Sequence, residues 1–350
     1  MDEYPLRMKP VFKDYVWGGN TLKKLYKKNT PFKCTAESWE VADFADGKST
    51  VDGGVYSEKT LSQLTKEFGK DFTGELCDTA EFPLMLKLID ANDDLPLQVS
   101  PDDVYAAETA EKGENCQAKN GMWYILDADV KSRLVYGFNK DITAEEFEKS
   151  LNDGSLSDNL NFVDAKEGDA FFIEAGTVHA VGDGLLIAEI GQNPGTTYCV
   201  FDRSSEKEDG KCSKLDKQVL EVAVTESSCG KEKMPALMVE NESCRRKFLV
   251  CCKYFAAEQV ETDDFSCEET DGRSFHIILF TKQDARIEYE NGTVFAQAGD
   301  TFVIPASMGE YKINGECEYL KFYIPEFEKD ILSPLANAGY SENEILALLK

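Results

Sequence analysis

Apolar residues along this chain come in short runs set between polar turn residues, and few of the runs have helical spacing. "EFPLMLKLID" (81–90), "GMWYILD" (121–127), "SRLVYGF" (132–138), "DAFFIEA" (169–175), "GLLIAEI" (184–190), "TTYCVFD" (196–202), "SFHIILF" (274–280) and "YLKFYIP" (319–325) follow this pattern. Runs of this length, rich in β-branched and aromatic residues and bounded by Gly, Asp or Pro, predict strands. In "ARIEYENGTVFAQAGDTFVIPA" (285–306) the segment Glu290-Asn291-Gly292-Thr293 predicts a hairpin that turns at Asn-Gly. The expected fold is mainly β, of the sandwich or barrel kind.

Helical periodicity is confined to a few places, each announced by capping-box spacing. Thr60 with Gln63, Thr143 with Glu146, and Ser341 with Glu344 precede the apolar sets Leu61, Leu64 and Phe68; Phe147 and Leu151; and Ile345, Leu348 and Leu349. These predict peripheral helices on a β core. The polar stretch 204–217 has the composition of a mobile loop, and "VTESSCGKEKMP" (224–235) that of a boundary. Two domains are therefore expected, 1–235 and 236–350. An internal repeat links them: "GDAFFIEAG" (168–176) and "GDTFVIPAS" (299–307) share a Gly-Asp turn, a short apolar strand and a small residue at its end. Continuing both copies in step places Glu310 opposite His179.

Composition narrows the function classes. The chain has 350 residues, 42% of them hydrophobic, enough for a substantial core. A net charge of -27 would repel nucleic acid and anionic membrane surfaces, so any anionic ligand needs its own lysines or arginines. Neither a signal-like N-terminus nor an apolar run of spanning length occurs, which predicts a cytoplasmic protein. The 11 cysteines are scattered without CxxC pairs and suggest neither a disulfide framework nor a cysteine zinc site. There is no glycine-rich phosphate loop, nucleophile elbow or HExxH.

Chemistry-bearing residues stand out where they interrupt apolar runs. His179, one of two histidines, ends such a run, and Lys87 and Glu189 each lie inside one, where a charge is best explained by a polar pocket. His276 reads as a strand histidine, Asp183 as a turn residue, and Trp39 and Trp123 as packing.

A Gly-Asp turn, an apolar strand and Ala-Gly-Thr-x-His resemble a cupin motif. Together with "MKPVFKDYVWGGNTLKKLY", "AESWEVAD", "FPLMLKLIDANDDLPLQVSPDD", "MWYILDA" and "AEIGQNPGTTYCVFD", in that order, the chain resembles the class I mannose-6-phosphate isomerases in their short bacterial form. The resemblance implies two tandem cupin (jelly-roll) β-barrels and a zinc-dependent interconversion of mannose 6-phosphate and fructose 6-phosphate. It further implies substrate binding by Glu37 and Lys87, catalysis by Lys119 and Glu189, and metal ligation by Gln98 and His179. Against the family's pattern, Ser100 stands where a ligand histidine is expected, Gly121 where a ligand glutamate is, Cys199 at an arginine position and Pro96 at a serine position. Losing an imidazole and a carboxylate predicts that zinc is not retained in the family's manner, and that isomerase activity is weak or lost. Asp102, Asp103 and Cys116 are the candidates for replacement ligands. The alternative is an inactive cupin that binds a sugar phosphate or a protein partner.

Overall fold

The computed structural model describes residues 1–113, 115–193, 195–202 and 218–350; the loop expected over 204–217 lies outside them. The alternating apolar runs become two antiparallel β-sandwich barrels of the cupin type. In the first, a six-stranded sheet runs in the order Ala170–Ile173, Gly121–Ala128, Leu185–Gln192, Leu84–Ala91, Glu37–Val41, Val11–Lys13. It faces a five-stranded sheet ordered Leu160–Asp164, Arg133–Phe138, His179–Val181, Leu97–Val99, Tyr198–Phe201.

The second barrel pairs an eight-stranded sheet with a four-stranded one. Two of its strands come from the N-terminal part of the chain: Leu6–Lys9 pairs with Thr301–Ile304 through Leu6↔Val303, and Thr50–Val51 pairs with Leu6–Lys9. The N-terminus thus stitches the two units together.

Strand alternation gives each large sheet two apolar faces, and the outer faces pack on one another. Leu84, Leu86, Leu88, Met122 and Phe172 of the first barrel share one buried cluster with Phe275, Ile277, Val303, Leu320 and Phe322 of the second. Each such side chain contributes about 1.5–3 kcal/mol by leaving water. The barrel interiors hold separate, smaller clusters, around Ile125, Phe171 and Ile187 in the first and around Phe280, Phe302 and Tyr319 in the second.

All three predicted capping boxes form, starting the helices Leu61–Phe68, Ala144–Asp153 and Glu342–Leu346. The hairpin turn is displaced by one residue. It lies at Glu290-Asn291, with Gly292 paired to Tyr289 as the first residue of the returning strand.

The sequence repeat is structural as well. Gly168 and Gly299 both take positive φ (87° and 91°), and Asp169 and Asp300 each accept a backbone N–H from three residues earlier, at Lys166 and Gln297. The expected equivalence of Glu310 with His179 fails, however. Glu310 is exposed, and its neighbour Tyr311 is the residue that turns inward.

Candidate functional site

Cross-strand register, which no sequence period reveals, assembles the site in the first barrel. Across the six-stranded sheet, Trp39, Lys87, Glu189 and Trp123 are successive pairing partners and so form one transverse row. Across the facing sheet, Tyr136, His179, Gln98 and Cys199 form a second row in the same way. Directly paired residues share a face. The two rows meet inside the barrel, where the Trp123 and His179 rings pack edge-on at 5.4 Å.

The first row carries a chain of alternating charge. Glu37 Oε1 takes Lys87 Nζ at 3.3 Å, and Glu189 Oε1 takes Lys87 at 3.5 Å and Lys119 at 2.8 Å. Each carboxylate also accepts an indole N–H: Trp39 Nε1 to Glu37 Oε2 at 2.6 Å, and Trp123 Nε1 to Glu189 Oε2 at 2.8 Å. The two tryptophans are buried, as packing residues should be, and they are also donors to the two acids. Sequence reasoning missed this: the nearness of Trp39 to Glu37, two residues apart, is legible locally, whereas Glu189 meets Trp123 only through strand register.

Electrostatics follow from burial opposed by pairing. Burial would raise the Glu189 carboxyl, but Lys119 and Lys87 outweigh it and hold the group ionised well below the usual carboxylate range. Burial likewise opposes the charge on Lys87, and Glu189 and Glu37 outweigh it, so the ammonium stays protonated above the ordinary lysine range. For His179 burial wins: the imidazole is pushed down to about 4, against the hydrogen bond to Thr177 and with help from Lys119. His179 is therefore neutral near pH 7. Its Nδ1 lies 2.7 Å from the Thr177 carbonyl, which leaves Nε2 as the lone-pair nitrogen.

The six predicted residues Glu37, Lys87, Gln98, Lys119, His179 and Glu189 thus come together. Lys87 and Lys119, expected to bind substrate and to act in catalysis, are already engaged with the two acids. The candidate replacement ligands do not join them. Asp102 caps the helix Asp103–Glu111 by accepting Tyr105 N–H at 2.7 Å, and Asp103 accepts Lys253 Nζ at 2.7 Å from the second barrel. Both line a separate cleft of about 810 Å³ between the barrels. Cys116 Sγ lies 3.4 Å from the Tyr198 hydroxyl. Asp183 sits in an exposed turn, its backbone N–H bonded to Asp94, and His276 belongs to the second barrel.

Would these residues hold a zinc ion? Gln98 and His179 pair directly and share a face, which suits two ligands of one ion. The two residues that the resemblance sets at the remaining ligand positions offer no strong donor. Ser100 is buried with its hydroxyl 3.3 Å from that of Thr197, and Gly121, at the start of the Trp123 strand, has no side chain. Both Glu37 and Glu189 are already bonded to cations and indoles. Among the described residues no group of three or more His, Cys, Asp or Glu is disposed to hold a metal. One imidazole and one neutral amide fall short of the three protein ligands of a catalytic zinc, and the donor set does not fit the ion.

Comparison with known proteins places the chain. Residues 6–132 match the family described as phosphomannose isomerase type I, catalytic domain, and residues 245–324 match the mannose-6-phosphate isomerase cupin domain. The mannose-6-phosphate isomerase ManA of Bacillus subtilis is 33% identical over 319 residues, 91% of this chain and 98% of the relative. The crystal structure of the mannose 6-phosphate isomerase from Bacillus subtilis superposes with a TM-score of 0.82 at 29% identity, covering 91% of this chain and 99% of that one. A mannose 6-phosphate isomerase solved with zinc and yttrium shares the fold at a TM-score of 0.72 and 15% identity, over 91% and 99% of the two chains. By its two domain matches and its full-length relatives, the chain belongs to the mannose-6-phosphate isomerase family.

Proposed function

We propose that the first barrel, within residues 1–235, binds a hexose 6-phosphate between its two rows, and that aldose-ketose isomerisation between mannose 6-phosphate and fructose 6-phosphate is weak or lost. Lys87 and Glu37 bind the substrate, Lys119 and Glu189 form the proton-handling pair, and Gln98 with His179 mark the place of the family's metal. The observation that carries this reading is the donor set: one imidazole and one amide, with Ser100 and Gly121 at the two remaining ligand positions. When present, zinc supplies polarisation of a substrate oxygen.

The pocket's own acid-base chemistry supports the same direction. A general base works best with a pKa near the operating pH, and Glu189 is held far below it by two ammonium groups. In the family's reaction a proton moves between two adjacent carbons, so an acid this weakly basic is a slow relay. Lys87, held protonated in a buried position, is suited to binding an anion.

Elemental analysis of the purified protein, with a coupled mannose 6-phosphate assay on the same sample, is the test. Zinc well below one per chain with little turnover is expected. Adding Ser100→His with Gly121→Glu should raise zinc content, the Ile190 carbonyl, 3.2 Å from an added Cβ at Gly121, giving way by a few tenths of an ångström. Unchanged zinc in the double variant, or one zinc per chain with brisk turnover in the parent, would overturn the reading. One observation favours a second reading, an active enzyme with a rearranged site: Cys199 faces Gln98 in register and could bring a thiolate to the row. In that case Cys199→Ser would abolish both zinc and turnover.

A further inference from the structure

The second barrel has an interior polar site of its own. Arg246, Glu258 and Lys321 point inward from the eight-stranded sheet, and Glu268 reaches across from the four-stranded one. Arg246 bonds both Glu258 and Glu268, and Lys321 bonds the same two acids at 3.1 and 2.9 Å, closing a four-membered ring of ion pairs. Tyr319 donates to Glu268 at 2.6 Å, and Tyr323 donates to Glu258. A barrel that needed only a core would gain as much from apolar residues, because desolvating four charges costs about what their pairing returns.

This ring borders a cavity of about 290 Å³ at the barrel mouth, under the C-terminal segment Glu328–Asn337. His276 lines it at 7% exposure, with Nδ1 held 2.7 Å from the Tyr311 hydroxyl and Nε2 bonded to no described residue. Of the five guanidinium N–H groups on Arg246, two are used in the ring. Phe248 and Tyr323 supply apolar surface on the same walls.

We propose that this cavity binds an uncharged, polyhydroxylated molecule of monosaccharide size, recognised by the spare N–H groups of Arg246 and by His276 Nε2. Charge excludes the alternatives. Four acidic and four basic side chains line the cavity and cancel, and Arg246 and Lys321 are each bonded to both ring acids, so a charged ligand finds no open counter-charge in the ring. The volume lies just under the roughly 300 Å³ at which pockets for drug-sized ligands begin, which sets the scale of the occupant. Burial keeps His276 neutral, so Nε2 can accept from a hydroxyl. This inference does not depend on what the first barrel binds.

Saturation-transfer NMR and calorimetry on the full chain, with D-mannose, D-glucose, mannitol and inorganic phosphate as separate probes, test it. At least one neutral hexose or hexitol should bind at millimolar concentrations, at least tenfold more weakly to His276→Phe and Arg246→Lys, and unchanged in Lys87→Ala. His276→Phe keeps the ring packing, so a folding failure of the Arg246 variant leaves the test intact. No transfer to any neutral probe, binding that persists in His276→Phe, binding lost in Lys87→Ala, or phosphate as the preferred probe would each overturn the proposal.

Discussion

Each barrel sets two acids and two bases beside one neutral histidine in its interior site, yet the two wire them differently. In the first barrel the charges form an open chain, Glu37–Lys87–Glu189–Lys119, whose last member bonds a single acid and is partly exposed. In the second they form a closed ring in which each cation bonds both acids. An open chain has an end that can exchange a protein partner for a ligand. A closed ring holds its members still and offers only the donors it leaves unused. Equal charge balance thus serves two purposes, and connectivity decides which.

The largest expected effect comes from breaking the ring. Lys321→Met leaves two buried carboxylates sharing one arginine and should cost about 3–5 kcal/mol, read as a lower unfolding midpoint in denaturant. If this variant were as stable as the parent, the ring would not be the rigid element described above. The matching change at the chain's end, Lys119→Met, should cost only about 1 kcal/mol, because the side chain is partly exposed and Lys87 still bonds Glu189.

Acid stability lies between these two. Burial, aided by Lys321, pushes the His276 imidazole down to about 3, against an ordinary value of 6.5. As pH falls below about 6.5 the unfolded chain takes up a proton that the folded one refuses, so stability is present above that pH and declines toward pH 3. His179, pushed down to about 4, acts in the same direction. The summed loss should reach a few kcal/mol by pH 4, and His276→Phe should flatten its slope by nearly half. Equal slopes in variant and parent would show that His276 is not neutral in the fold.

Much of this molecule was legible from local pattern. The apolar runs marked the strands, and Thr60, Thr143 and Ser341 with their partners marked three helix starts, because capping is a matter of residues three apart. The motif resemblance brought together Glu37, Lys87, Gln98, Lys119, His179 and Glu189. The Arg246–Glu258–Glu268–Lys321 ring went unread, though Glu258 and Lys321 interrupt apolar strands just as Lys87 and Glu189 do. Their partners come from other strands and from the opposite sheet, so no local window contains them.

The sequence alone determined the element types, the turn that opens each copy of the repeat, and the residues that do not belong in an apolar core, since those depend on propensity and period. Only the tertiary structure decided which strands lie side by side and in what register. That choice set Trp123 against Glu189 and Gln98 against His179, and put Tyr311 rather than Glu310 inside the second barrel. A one-residue change of register exchanges the faces of a strand, so the pairing of inward charges is fixed by sheet packing over the whole barrel.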